Sequence, residues 1–147
     1  MDTRWKPNVT VAAIIEKDGR YLLVEEQTRD GLRLNNPAGH LDPGESPWEA
    51  CVREVLEETA YAFTPTALVG IYLSRFGKPP TPQDPEEDIT YLRFAFAGKV
   101  GARDTARHLD DGILRAVWMT LPEIEACADR HRSPLVLQCM EDHLAGQ

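Results

Sequence analysis

Six acidic residues and a single base crowd into residues 39–61, and this acidic segment is the strongest constraint on how the chain can fold. Its acids are Asp42, Glu45, Glu49, Glu54, Glu57 and Glu58, and its base is Arg53, so its charge is −6 + 1 = −5 out of a formal net charge of −8. Carboxylates three or four residues apart on a helix lie side by side and repel one another. The folded chain must therefore either expose these carboxylates to water or hold them around a cation.

A helix begins inside the acidic segment at a well-marked residue. Ser46 is a typical N-cap, Pro47 suits the first helical position, and Glu49 follows the serine at the spacing of a capping box. At about 100° per residue, one face of this helix carries Trp48, Cys51, Val52, Val55, Leu56 and Thr59. The opposite face carries Glu54, Glu57 and Glu58. We expect the first face to be buried, with Trp48 in the core.

The three helical glutamates are open to two interpretations from the residues alone. Most charged runs are solvated helix faces. Here, however, no Lys or Arg is interleaved on the narrow acidic face, and a loop rich in Gly, Asn, Pro and Asp, residues 35–45, leads into the helix. Clustered carboxylate oxygens suit hard cations. We therefore predict a divalent metal site, with Mg²⁺ as the cofactor and Mn²⁺ as the alternative.

The rest of the chain alternates between strand and helix patterns, which predicts a mixed α/β class in a single domain spanning residues 1–147. The predicted strands are 9–15, 21–24, 68–76, 89–98 and 113–119. The predicted helices, besides the one that Ser46 caps, are 121–130 and a segment that Ser133 caps and that ends near Gly146.

Composition excludes several classes of protein. An acidic chain with a pI near 5.0 offers no broad basic surface for nucleic acid or an anionic membrane. The longest largely apolar run, residues 9–15, is far too short to span a bilayer, and the first residues do not form a signal peptide. Three widely spaced cysteines, with no Cys-x-x-Cys pair, favour reduced thiols. We expect a cytoplasmic protein with a small-molecule ligand.

The acidic segment also resembles a known family signature. Five residues separate Gly39 from Glu45, and seven separate Glu45 from the run Arg53-Glu54-Val55-Leu56-Glu57-Glu58, as in the Nudix box. One position departs from that box, because Ala60 stands where the family has glycine. Flanking segments similar to bacterial Nudix enzymes are residues 6–12, 24–26, 36–41, 92–94 and 132–136.

This resemblance implies a Nudix-type α/β/α sandwich, with a mixed sheet between helices. It implies hydrolysis of a diphosphate linkage by water attack at phosphorus, with a divalent metal. By the same resemblance, the metal ligands would be the side chains of Glu54, Glu57 and Glu58 and the backbone carbonyl of Ala38. Arg53 would pair with Glu45 and orient the ligating glutamates, although an Arg on a helix surface can also pair with Glu49 or Glu57. The predicted catalytic set comprises Glu45, Arg53, Glu54, Glu57 and Glu58.

The substrate side of the site is less constrained by the sequence. The general base could be a glutamate of the box or one of the loop acids Glu86, Glu87 and Asp88. The alternative role of these loop acids is to keep the edge of the following strand soluble. His40 could contact a phosphate or serve as a structural hydrogen-bonding group. Arg93 could reach a phosphate or form a cross-strand ion pair. The predicted substrate-binding residues are His40, Arg93 and Glu87.

Three functions are compatible with the sequence. The first is an Mg²⁺-dependent Nudix phosphohydrolase that releases phosphate from nucleoside di- or triphosphates, hydroxymethylpyrimidine pyrophosphate or thiamine pyrophosphate. Alternatives are a pyrophosphohydrolase of nucleotide sugars or dinucleoside polyphosphates, and a catalytically silent Nudix-fold sensor. The intact glutamate cluster argues against a sensor, which has no need of mutually repelling carboxylates. We expect a monomer or a homodimer.

Overall fold

The computed structural model describes residues 3–146 and consists of strands and helices that alternate along the chain. The strands are β1 (Asn8–Lys17), β2 (Arg20–Thr28), β3 (Gly31–Asn35), β4 (Ala38–His40), β5 (Tyr61–Lys78), β6 (Glu87–Arg103) and β7 (Ile113–Thr120). The helices are α1 (Pro47–Thr59), α2 (Leu121–Ala126), a 3₁₀ turn (Ala128–Arg130) and α3 (Leu135–Ala145). Within this described part, no helix is long and apolar enough to cross a membrane.

Strand β1 lies at the centre of a mixed sheet with the strand order β3-β2-β1-β6-β5. It pairs in parallel with β6, with Val11 opposite Phe94, and antiparallel with β2 and β4. Residues 11–15 of β1 are all buried, as expected for a strand covered on both faces. Strand β7 pairs with β2, and β4 occupies a short stretch of β1 beside the start of α1.

Helices cover both faces of the sheet, and each face has its own hydrophobic core. On one face, Ala50, Cys51 and Val55 of α1 pack against alternate residues of β1. On the other face, the packed residues of α2 and α3 are Ile124, Val136, Cys139 and Met140. This arrangement confirms the predicted α/β/α sandwich.

Helix α1 begins at the residue expected from the sequence and ends at Thr59, with Ala60 as its C-cap. The Ser46 hydroxyl accepts a hydrogen bond from the Glu49 N–H, and the Glu49 carboxylate accepts one from the Ser46 N–H, which completes the capping box. At the other end, Ala60 takes the left-handed conformation with φ 65°, and its N–H donates to the carbonyl of Leu56. Ala60 thus has a backbone conformation that glycine would adopt at a lower free-energy cost.

Several local predictions were wrong, each for a tertiary reason. The predicted loop 35–45 contains β4, which is too short and too polar to show a period-2 pattern but pairs with β1. Strand β3 was also missed, and β5 runs from Tyr61, well before residue 68. The predicted helix 121–130 is divided at Cys127 into α2 and the 3₁₀ turn.

Two side-chain placements also differ from expectation. Trp48 is 56% exposed, because it lies in the first turn of α1, outside the contact of that helix with β1. Helix α3 begins at Leu135, and Ser133 stands just outside it, where its hydroxyl accepts a hydrogen bond from the Leu135 N–H.

Candidate active site

Three carboxylates converge where the C-terminal half of α1 meets the segment between β6 and β7. Oxygen atoms of Glu54, Glu57 and Asp110 all lie within 4.8 Å of one another. Asp110 is held there by its backbone, since its N–H donates to the Glu57 carbonyl at 3.1 Å. Burial raises the pKa of Glu54, and the nearby charges of Glu57 and Asp110 raise it further. A divalent cation would relieve this repulsion, so the donor set fits such an ion.

Glu58 lies beside this cluster and is tied to strand β4. Its Oε1 accepts a hydrogen bond from the backbone N–H of Ala38 at 2.9 Å. Burial raises the pKa of Glu58 to about 8, and the charges of Glu54, Glu26 and Asp110 add to the increase against the opposing effect of the Ala38 bond. Without a cation, this carboxyl group is costly to ionise.

Arg53 connects the start of the acidic segment to the glutamate cluster. Its Nε and Nη2 donate to the two oxygens of Glu45 at 2.6 and 3.0 Å, and its Nη1 donates to Glu54 at 2.7 Å. The same nitrogen also lies 3.2 Å from Glu57, while Nη2 donates to the His40 carbonyl at 2.9 Å. The pKa of Glu45 is lowered chiefly by this pairing. The guanidinium therefore positions three carboxylates and the end of β4 at once.

Gly39 explains how α1 can approach β4 so closely. A Cβ atom added to this residue would overlap the carboxylate of Glu54. Only glycine therefore leaves room for the Glu54 side chain over β4. The residue sits between Ala38 and His40, which both contact the site through their backbones.

The predicted substrate-binding residues occupy three different environments. The exposed His40 has its ring centroid 6.3 Å from that of Tyr91. Arg93 is only 7% exposed, and its Nη2 donates to the Asn36 Oδ1 at 2.7 Å. The cross-strand ion pair considered for Arg93 is absent from residues 3–146. Glu87 begins β6 opposite Lys78, outside the carboxylate cluster.

The structure brings an acid to the glutamates that the sequence analysis did not select. The loop acids considered as the general base were Glu86, Glu87 and Asp88. Of these, Asp88 accepts two hydrogen bonds from Arg75, each 2.8 Å long. Asp110 lies in an exposed segment between two strands, in the run Asp110-Asp111-Gly112. An acidic pair before a glycine is also an ordinary turn, so the sequence signal was weak.

Comparisons with known proteins agree with this geometry. The family model described as the NUDIX domain matches residues 4–139. The chain belongs to the Nudix family. It is 32% identical over 143 residues to "Phosphatase NudJ" of Escherichia coli strain K12, a match that covers 97% of this chain and 87% of that protein. The predicted Nudix membership, and with it the assignment as a Nudix hydrolase, is confirmed.

Solved structures share the fold. A "NUDIX hydrolase from Nitrosomonas europaea" is 53% identical with a TM-score of 0.83, and the match covers 96% of this chain and 90% of that one. A UDP-X diphosphatase matches with a TM-score of 0.71 at 17% identity, covering 99% of this chain and 67% of that one, which shows the shared fold alone. Within the Nudix fold, Glu54 and Glu57 of α1 and Asp110 form the carboxylate cluster described above.

Proposed function

We propose that this Nudix hydrolase is an Mg²⁺-dependent phosphohydrolase that cleaves the diphosphate linkage of a small molecule and releases orthophosphate. The substrates proposed are nucleoside di- and triphosphates, hydroxymethylpyrimidine pyrophosphate and thiamine pyrophosphate. The observation that carries the proposal is the convergence of Glu54, Glu57 and Asp110 beside Glu58. The likeness to the phosphatase NudJ supports orthophosphate as the product.

The proposed metal ligands are the carboxylates of Glu54, Glu57 and Glu58, together with the carbonyl of Ala38. Asp110 lies within 4.8 Å of the Glu54 and Glu57 oxygens but comes from a separate segment, and it is assigned a different role below. When bound, Mg²⁺ would neutralise charge on the phosphate oxygens and acidify a water. It would also make the clustering of these acids favourable, which explains why the fold tolerates them.

The remaining residues of the site act by positioning and proton transfer. Arg53 and Glu45 hold Glu54 and Glu57 in one orientation through the hydrogen bonds given above. Asp110 is an exposed carboxylate beside Glu54 and Glu57 on a segment separate from α1, so we assign it as the acceptor of the proton of the attacking water. We assign the exposed His40, at the end of β4, as a contact for a substrate phosphate.

A product-resolved substrate panel tests the reaction. The purified protein is incubated with Mg²⁺ and with ADP, ATP, thiamine pyrophosphate or a nucleotide sugar, and phosphate is measured with and without added pyrophosphatase. Orthophosphate without pyrophosphatase is expected from the first three. Pyrophosphate with a nucleoside monophosphate from ATP would contradict the proposed product, and cleavage of the nucleotide sugar alone would favour a pyrophosphohydrolase. Tight binding without turnover would favour a sensor.

The role of Asp110 is tested against its neighbour. Asp110→Asn should lower kcat at least about 100-fold, which is the scale of a lost general base. Asp111→Asn removes the same charge at the adjacent exposed position and should leave kcat within about twofold. Equal effects of the two substitutions would show that only the local charge matters and would remove Asp110 from the mechanism. Glu87→Gln, tested in the same assay, examines the loop base considered from the sequence.

A further inference from the structure

A buried polar pair lies on the face of the sheet opposite α1, close to the corner between β3 and β4. Asn36 in this corner is fully buried, and Arg93 of β6 is 7% exposed. They share the hydrogen bond from Arg93 Nη2 to Asn36 Oδ1, at 2.7 Å. Two of their donors, Arg93 Nε and Asn36 Nδ2, are buried without a hydrogen-bond partner among the described residues.

The Arg93 guanidinium is also not neutralised. No carboxylate of residues 3–146 lies within ion-pair distance of it. Its neighbours are the Tyr72 hydroxyl, which donates its hydrogen bond to Asp142, and the Cys139 thiol of α3. A buried cation without a counter-ion destabilises a fold, and an apolar side chain of similar length would pack there at lower cost. A purely structural role therefore does not account for arginine at this position.

The corner that Arg93 reaches leads directly to the carboxylate cluster. Asn36 is followed by Pro37, whose carbonyl accepts a hydrogen bond from the Ala13 N–H at 2.9 Å. The next residue, Ala38, donates its N–H to Glu58. Asn36 is thus two residues from the backbone that orients Glu58 and that supplies the proposed carbonyl ligand.

We propose that Arg93 is a positioning residue: through Asn36 it fixes the β3–β4 corner and thereby the Ala38 backbone and Glu58, without touching the substrate. This inference rests on the proposed function for its metal site. It replaces the expectation that Arg93 binds a substrate phosphate. The hydrogen bond from Arg93 reaches from β6 across β1 to Asn36 in the corner. Because the two residues are 57 positions apart in the sequence, the residues of the corner cannot make this contact among themselves.

The test uses Arg93→Met, with Arg75→Met as the matched control. Arg75 is an exposed arginine whose partner is Asp88, away from the cluster. Two quantities are measured for each protein: the melting temperature in EDTA, and the Mg²⁺ concentration that gives half of the Mg²⁺-dependent rise in melting temperature. Mn²⁺ binding by electron paramagnetic resonance gives the same affinity without substrate.

Arg93→Met should leave the melting temperature in EDTA unchanged or higher, while weakening metal affinity about 10-fold or more, as expected for loss of a residue that orients a metal ligand. Arg75→Met should leave metal affinity unchanged. Asn36→Leu should weaken metal affinity as Arg93→Met does, and the double variant should be no weaker than either, since both break the same link. Asn36→Asp keeps the accepting oxygen and should retain affinity.

Other outcomes would overturn the inference. Unchanged metal affinity with an increased KM for ADP would show that Arg93 contacts the substrate. A lower melting temperature in EDTA with unchanged metal affinity would show that it only supports the fold. If Arg93→Met does not fold, the comparison of Asn36→Leu with Asn36→Asp decides by the same criteria. Failure of the wild-type protein to hydrolyse any diphosphate would refute the proposed function, while the metal-affinity result would still stand.

Discussion

Replacing Glu58 with Gln should make the protein more stable without metal and less stable with it. In the absence of a cation, the Glu58 carboxyl is buried near Glu54, Glu26 and Asp110, and its pKa is raised from 4.5 to about 8. Between its unfolded and folded pKa values, an acid whose pKa rises on folding keeps its proton in the folded state and loses it in the unfolded state. Its contribution to stability therefore falls as pH rises from about 4.5 towards 8.

The size of the effect follows from that pKa. At pH ~7.5, a rise from 4.5 to about 8 penalises the folded state by on the order of 4 kcal/mol. Glutamine removes this penalty and can still accept the hydrogen bond from Ala38, but its buried NH₂ group lacks a partner, at a cost of about 1–3 kcal/mol. The net gain is about 1–3 kcal/mol, which corresponds to a rise in melting temperature of roughly 2–10 °C.

Metal reverses the order of the two proteins. Binding to the folded state alone stabilises wild type by about 4.1 kcal/mol when free Mg²⁺ is about 1,000 times Kd, which exceeds the advantage of about 1–3 kcal/mol that Glu58→Gln has without metal. Glu58→Gln loses a charged ligand, so most of this increase should disappear. Turnover should fall by orders of magnitude, because charge neutralisation at the phosphate is weakened.

Thermal melts in EDTA and in Mg²⁺, each at pH ~5 and ~8, measure both effects. In EDTA the advantage of Glu58→Gln should be greatest at the higher pH and should vanish at the lower one, because pH ~5 lies only just above the unfolded-state pKa of 4.5 and the penalty there is below ~1 kcal/mol. The control Glu125→Gln changes an exposed carboxylate on α2 and should show neither effect. A lower melting temperature for Glu58→Gln in EDTA at both pH values, with an unchanged response to Mg²⁺, would refute the metal-site reasoning.

Three further substitutions probe the neighbouring features. Gly39→Ala should displace Glu54 and weaken the apparent Mg²⁺ affinity about 10-fold or more, as measured by thermal melts at a series of Mg²⁺ concentrations. An unchanged affinity would contradict the close approach of Glu54 to Gly39. Arg53→Lys cannot reproduce the forked contacts of the guanidinium and should lower kcat about 10-fold or more in the phosphate assay. Retained activity would show that only the positive charge of Arg53 matters. Ala60→Gly relieves the positive φ and should stabilise the protein by about 1 kcal/mol in urea unfolding, and a destabilisation would show that Ala60 is not strained.

Local rules predicted the features whose causes are local. The start of α1 follows from Ser46, Pro47 and Glu49, which form their contacts within one helical turn. The glutamate face follows from the helical period, and the Gly39-to-Glu58 spacing was enough to identify the family and hence the sandwich. Because all of these residues lie within one short stretch of chain, their pattern can be recognised from this sequence alone.

The features that were missed depend on contacts between distant segments. Strand β4 exists because β1 offers it a partner, and its three residues carry too little pattern to show this. Asp110 reaches Glu57 through a backbone hydrogen bond that no spacing rule anticipates. Arg93 lies on the face of β6 opposite Leu92 and Phe94, so the sequence left both phosphate binding and a cross-strand ion pair open. Its burial beside Cys139 of α3 and its bond to Asn36 are contacts with segments distant in sequence.

The parallel pairing of β1 with β6 also has a consequence for synthesis on the ribosome. About 80 residues separate the paired positions, so at ~5–20 residues per second β1 waits roughly 4–16 s for its partner. Hairpins form within microseconds, so the β1–β2 pair can form long before β6 emerges. During that interval the apolar residues 11–15 are open to pairing with other chains. The yield of folded protein should therefore depend on how well β1 is shielded while β6 is still being made, a demand set by strand order and independent of the final stability.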